Sequence, residues 1–284
     1  MKILSRREFI GVGVAGVATV LGATLASTGE LGSGLNPFQS GSNVSGTFYS
    51  HFRKRTVGYS VGYPDGHGPG SRLPLIVFLH GFRGTHEHCL AGYSPAEAVS
   101  IKSNGQALTP MALVTVDGGD GYWHPHPHDD PMGMVLHELI PMMQKRGLGV
   151  QPHRIATMGI SMGGYGAIAF GEHFPRLFTA VAAISPAIFA TFNWVHYVNP
   201  GAYWGLTDFA KYDVITHAGA LRATPVRVAS GDRDPFHPWI EQFVARLKPS
   251  DSVSFPPGEH NGAFFHSQIA PSVRFLSEHL AVRP

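Results

Sequence analysis

Four short apolar runs, Leu75–His80, Ala112–Val116, Arg154–Gly159 and Ala180–Ile184, constrain the fold of this chain more than any other feature. Each is too short to be a core helix and lacks the regular polar alternation of a half-exposed strand. Such runs read as strands buried on both faces of a sheet. Val226–Ser230 and the shorter Ser252–Phe255 continue the series. Helical patterns lie between them at Ser94–Ser103, Met132–Lys145, Met162–Phe174, Pro238–Leu247 and Phe264–Leu280. Pro141 must kink or end the second of these, and Pro175 stops the third. The last places Phe265, Ile269, Val273, Leu276 and Leu280 near one face. Buried strands alternating with helices make βαβ units and a mostly parallel sheet with helices on both faces. Upstream, Lys54–Tyr63 has β-type alternation, ends at the turn Pro64-Asp65-Gly66, and pairs with Gly46–Phe52. Residues 186–222 have no clear period and read as an irregular insertion or cap.

Composition narrows the class further. With 284 residues and 43% hydrophobic content the chain can bury a full core, which excludes global disorder. Only 14% of residues are charged, while Gly (35) and Pro (22) are abundant, so a helical bundle or coiled coil is excluded. The single cysteine, Cys89, excludes an intramolecular disulfide framework and a multi-cysteine zinc site. Lys2, Arg6, Arg7 and Glu8 account for the whole net charge of +2, so the rest of the chain is neutral. A neutral body offers no electrostatic basis for binding nucleic acid.

The N-terminal segment reads as an address. A basic stretch precedes the uncharged, small-residue run Ile10–Ala26, and Thr24-Leu25-Ala26 suits a cleavage site. Ser5-Arg6-Arg7-Glu8-Phe9-Ile10 resembles the twin-arginine export motif. The expected organisation is a signal peptide at 1–26, a flexible Gly/Ser-rich lead-in at 27–45 and a catalytic domain at 46–284. The expected location is secreted, periplasmic or at the cell envelope.

Chemistry is concentrated in Gly159-Ile160-Ser161-Met162-Gly163, a G-x-S-x-G directly after a strand and before a helix. That context builds a nucleophile elbow, a sharp turn that lifts the serine hydroxyl out of the sheet at a helix N-terminus. There the Met162 N–H and the helix dipole can stabilise an oxyanion. A second N–H is needed from the loop after an early strand. In Leu79-His80-Gly81-Phe82-Arg83-Gly84 that donor is Phe82, with His80 holding the loop in shape. The acid and base should follow in the order Ser, Asp, His. Gly231-Asp232-Arg233-Asp234 follows a strand and offers two aspartates. Gly258-Glu259-His260-Asn261 places His260 in the loop before the last helix, with His237 and His266 as rivals. His260 there can accept the serine proton and return it to the leaving group.

Together these strings resemble the branch of the α/β-hydrolases that holds esterase D (S-formylglutathione hydrolase), feruloyl esterases and secreted mycolyltransferases. The matching strings are HGFRG at 80–84, VDGGDGYW at 116–123, GISMGGYGA at 159–167, SGDRDPF at 230–236 and PGEHNGAFF at 257–265. The resemblance implies the three-layer α/β-hydrolase sandwich. Its G-x-x-D pattern selects Asp234 over Asp232, and its loop patterns select His260 and Phe82. The mycolyltransferase acid is a glutamate, so the chain departs from that group at Asp234. In this branch the loop after the second core strand borders the active site, which makes Trp123, His124 and Arg83 expected substrate-lining residues. His124, His126 and His128 could converge in an extended segment, but further ligands for a metal are lacking. No metal or cofactor is expected.

The function these features imply is a secreted serine esterase acting on a small-molecule or lipid ester through an acyl-enzyme. Acyl transfer to a sugar or glycerol, as in mycolyltransferases, shares the same machinery and differs only in the acceptor. A non-catalytic cell-envelope binding protein on a hydrolase scaffold is the alternative from another class.

Overall fold

The structure is a computed structural model and describes residues 40–103, 105–150 and 154–281. The expected signal peptide at 1–26 lies outside the described residues. An eight-stranded sheet runs through the molecule: β1 (Ser42–Ser50), β2 (Arg55–Tyr63), β3 (Leu75–Leu79), β4 (Ala112–Val116), β5 (Ile155–Ile160), β6 (Phe178–Ile184), β7 (Val226–Ala229) and β8 (Ser252–Ser254). Their order across the sheet is β1-β2-β4-β3-β5-β6-β7-β8. β1 and β2 form an antiparallel hairpin, β2 meets β4 antiparallel, and every later pair is parallel. The expected lead-in at 27–45 overlaps β1, because Ser42–Ser45 pair with Tyr63–Ser60.

The pleat divides the strand side chains between two cores. Leu75, Val77 and Leu79 point to one face, while Ile76 and Phe78 point to the other. The first core is covered by α4 (Met162–His173) and by a long segment made of α2 (Pro131–Met134), a π turn (Val135–Leu139) and α3 (Ile140–Lys145). Pro141, lacking an N–H, sits at the start of α3, so the helix is broken by a π turn there. The second core is covered by α1 (Pro95–Val99) and α9 (Gly262–Leu280), which bury Ile269, Val273, Leu276 and Leu280. Each of those side chains contributes about 1.5–3 kcal/mol of transfer free energy on burial. The first buried aromatic of α9 is Phe264, not the expected Phe265. α1 is half the expected length, since Ser100 caps it and a small hairpin of Lys102–Ser103 with Gln106–Ala107 follows.

Residues 186–223 form the cap: α5 (Phe192–Val198), α6 (Leu206–Lys211), α7 (Val214–His217) and a 3-10 turn at Ala218–Ala223. α8 (His237–Val244) follows β7. Among the described residues no helix is long and apolar enough to cross a membrane.

Candidate active site

The C-terminal ends of the parallel strands carry the site, as is general for open α/β sheets. Ser161 leaves β5 with φ 56° and ψ −118°, a backbone conformation that costs a non-glycine residue about 1–3 kcal/mol. The surroundings over-determine it. Ser161 N–H donates to Ile184 O (2.9 Å), and its carbonyl accepts from Tyr165 N–H (3.0 Å) and Ala187 N–H (2.9 Å). A Cβ on Gly159 would strike the Gly163 carbonyl, and one on Gly163 would strike that of Leu79. The G-x-S-x-G spacing is therefore a steric requirement of this turn.

Asp234 lies in the turn after β7 and His260 in the loop between β8 and α9. His260 Nε2 is 2.8 Å from Ser161 Oγ, and His260 Nδ1 is 2.9 Å from Asp234 Oδ2. Asp234 Oδ1 accepts the Phe236 N–H at 2.9 Å. Burial alone would raise the Asp234 pKa, but the His260 charge and hydrogen bond, the Phe236 N–H and the Ser185 hydroxyl outweigh it and hold it below the usual value. The acid therefore stays ionised beside the imidazole. Phe236 (5.1 Å) and Phe265 (5.0 Å, edge-on) pack against the imidazole. Asn261 caps α9 by accepting the Phe264 N–H at 3.0 Å, which anchors the residue after the histidine.

Asp232 has a different task. It is exposed, and its Oδ1 accepts the Gly258 N–H at 2.9 Å, tying the two loops together. His237 packs edge-on against Phe255, and His266 stacks on Tyr93 and reaches Ala91 O, so neither rival joins the Ser161 cluster.

The loop after β3 passes over the elbow: a Cβ on Gly81 would lie 3.5 Å from Ser161 Cβ. No hydrogen bond among the described residues engages the N–H of Phe82 or of Met162. His80 is buried, and its Nε2 accepts the Gly118 N–H at 2.9 Å, so Nδ1 carries the proton and donates to Gly81 O at 2.7 Å. Burial lowers its pKa and keeps it neutral, suited to holding the loop. Arg83 is exposed and lies over the Phe82 ring at 5.4 Å.

Trp123 and His124 are not on the rim where they were expected. Trp123 is 1% exposed, packs against Gly118 and Gly166, and donates its Nε1–H to His80 O at 3.1 Å. His124 is fully buried, stacked against Tyr203 and Tyr212, with Nε2 at 2.7 Å from Ala202 O. Left-handed φ values at Tyr122 (54°) and Trp123 (60°) turn the chain sharply here, and both Trp123 and His124 are buried. The two side chains fasten the loop and the cap to the body beneath the site. His126 stacks on His124 at 4.5 Å, with Nε2 donating to Gly121 O and Nδ1 accepting from Trp204 Nε1–H. Among the described residues no three His, Cys, Asp or Glu side chains gather where a metal ion could be held.

Sequence reasoning missed three contributors. Arg53, nearly fully buried, grips Asp129 through Nε and Nη2 (2.7 and 2.9 Å) and Asp117 O through Nη1 (2.6 Å), which props the loop over Gly119. Ser185, at φ 44° before Pro186, brings its hydroxyl toward Asp234. Asp120 accepts the Arg83 N–H at 2.7 Å. A strand-end Ser-Pro and a lone Asp among glycines are the only traces these leave in the sequence.

An open groove of about 440 Å³ lies on the cap, lined by Thr191, Asn193, Trp194 and Tyr197. Rings connect it to His260: Trp194 to Trp239 (5.9 Å), Trp239 to Phe236 (6.2 Å), Phe236 to His260 (5.1 Å).

A strand order of 1-2-4-3-5-6-7-8, with a strained serine after β5, an aspartate after β7 and a histidine after β8, defines an α/β-hydrolase. The Esterase family profile matches residues 50–276, and the chain belongs to that family of carboxylic ester hydrolases. No curated protein matches the sequence. Similar solved structures include a ferulic acid esterase (TM-score 0.68, 19% identity, covering 84% of this chain and 98% of that one). An S-formylglutathione hydrolase from Agrobacterium tumefaciens has TM-score 0.67 and 18% identity over 86% of this chain and 97% of its own. Mycobacterium tuberculosis MPT51 has TM-score 0.64 and 17% identity over 83% and 99%.

Proposed function

We propose that the protein is a secreted serine esterase in which Ser161, His260 and Asp234 form the triad and Phe82 and Met162 supply the oxyanion hole. The observation that carries this reading is the continuous relay from Asp234 Oδ2 to His260 Nδ1 (2.9 Å) and from His260 Nε2 to Ser161 Oγ (2.8 Å). As Ser161 Oγ attacks the ester carbonyl, its proton passes to His260 Nε2. The carbonyl π electrons move to oxygen, where the two free N–H groups stabilise the charge. His260 then protonates the departing alcohol, leaving an acyl-serine. Water, deprotonated by His260, releases the acid and regenerates Ser161. The aromatic groove on the cap, linked to His260 through Trp239 and Phe236, suits an apolar portion of the ester. The twin-arginine segment Ser5–Ile10 supports export from the cytoplasm.

Fluorophosphonate labelling and turnover of p-nitrophenyl esters from acetyl to palmitoyl test the reading. Wild-type protein should take up the label and show turnover, and Ser161→Ala should lose both. Adding His260→Ala should cost little more, because triad members act as a unit. Undiminished turnover by Ser161→Ala would overturn the mechanism.

A further inference from the structure

The turn that carries the Phe82 N–H is closed by a Gly84 N–H to Gly81 O bond of 2.9 Å. Its third residue, Arg83, has φ 60°, a left-handed value that glycine ordinarily supplies at this position of a turn. Nothing in the arginine side chain compensates for that strain, since it is exposed and only leans on the Phe82 ring. What holds the conformation is outside the turn. Asp120 Oδ1 accepts the Arg83 N–H at 2.7 Å, and the backbone of Asp120 is itself held by Asn199 of the cap, whose Nδ2–H donates to Asp120 O at 3.1 Å. A turn of this kind relaxes by rotating its central peptide, here Phe82–Arg83, which would take Arg83 to negative φ. That rotation would turn the Phe82 carbonyl toward the Asp120 carboxylate, two acceptors facing each other. A hydrogen bond from an amide to an ionised carboxylate is also about twice as strong as a neutral one.

We propose that Asp120 is a positioning residue for the oxyanion hole: by holding the Arg83 N–H it anchors the whole turn, and with it the adjoining Gly81–Phe82 peptide, whose N–H stays uncommitted beside Ser161. The proposal rests on the serine-esterase reading and on Phe82 as a donor. Loss of a whole oxyanion donor costs roughly 10²–10³ in kcat, so loss of its support should cost less, on the order of tenfold. The cost should fall on kcat, because the donor is used in the transition state more than in the ground state.

The test compares wild type, Asp120→Ala, Asp120→Asn and Ser161→Ala with a p-nitrophenyl ester, and measures inhibition by a trifluoromethyl ketone, whose serine adduct places an oxyanion in the hole. Asp120→Ala should lower kcat about tenfold, leave KM within about twofold, and weaken the ketone by the same factor as kcat. Asp120→Asn, whose amide oxygen can accept the same N–H, should recover most of the loss, and being isosteric it also guards against misfolding. A wild-type kcat in Asp120→Ala, a loss confined to KM, or a loss that Asn does not recover would each overturn the proposal. If Ser161→Ala is inactive while Asp120→Ala is unimpaired, only the role of Asp120 fails. If Ser161→Ala still turns over ester, the esterase reading fails first and the proposal with it.

Discussion

Gly231 and Gly258 meet backbone to backbone: a Cβ on Gly231 would overlap the Gly258 carbonyl. The contact joins the turn bearing Asp234 to the loop bearing His260, and two hydrogen bonds reinforce it. Gly258 N–H donates to Asp232 Oδ1, and Arg233 N–H donates to Gly258 O at 3.0 Å. The separation of Asp234 and His260 is thus set by the absence of a side chain at Gly231 as much as by the hydrogen bond between them.

Gly231→Ala should therefore push the two loops apart. Overpacking of this kind costs about 1–3 kcal/mol, and displacement of His260 should add a loss of kcat well beyond the stability effect. Thermal unfolding and ester turnover on the same preparation separate the two. Wild-type turnover in a folded Gly231→Ala protein would show that the loops tolerate the shift.

The two aspartates of the Gly231–Asp234 turn should respond very differently to loss of charge. Asp234→Asn keeps the shape but favours the wrong imidazole tautomer, so kcat should fall by roughly 10⁴. Asp232→Asn keeps an oxygen for the Gly258 N–H and should be much milder. Steady-state kinetics on the two variants, in the opposite ranking, would show that the acid had been misassigned.

Acid should destabilise the protein in a defined window. Burial first, then the neighbouring His126, push the His124 pKa down to about 4, from the usual 6.5 of an imidazole. The unfolded chain therefore takes up this proton before the folded one does. Stability is unaffected by this group above about pH 6.5 and falls as pH drops from there toward 4, by up to about 3 kcal/mol at 1.36 kcal/mol per unit. His80 and His173, whose pKa values are lowered chiefly by burial, act in the same direction. Urea unfolding between pH 7.5 and 4 should show this slope, and His124→Gln should flatten it.

Replacement of both Arg6 and Arg7 by lysine should leave precursor in the cytoplasm, if the leader uses the twin-arginine route. Cell fractionation with an antibody to the mature domain reads this out. Unchanged export would exclude that route.

The elements that form continuous apolar runs or repeat a period were legible in the sequence. β3 to β7 appear as apolar runs because a strand covered on both faces has no polar side to alternate. The elbow was legible for a different reason. Its constraint is local, since Gly159, Ser161 and Gly163 must let a strand and a helix meet within five residues. Seventeen histidines and two aspartates one residue apart carry no such local mark. Position relative to strands β7 and β8, together with family resemblance, pointed to Asp234 and His260. Their meeting, though, depends on contacts between segments 26 residues apart and on a serine 99 residues before the histidine. The loop after β4 shows the limit most clearly. By resemblance to the family its Trp123 and His124 were expected to line the substrate, but the chain turns at the left-handed φ values of Tyr122 and Trp123 and both side chains are buried in the core. A loop has no period from which to read its faces. The direction of each side chain follows from backbone angles that distant partners select: here His80, Gly166 and the Tyr203–Tyr212 pair of the cap. Local sequence determined the sheet and the strained turn at Ser161, whereas only tertiary packing decided which polar residues face Ser161 and which fasten the loops that hold it.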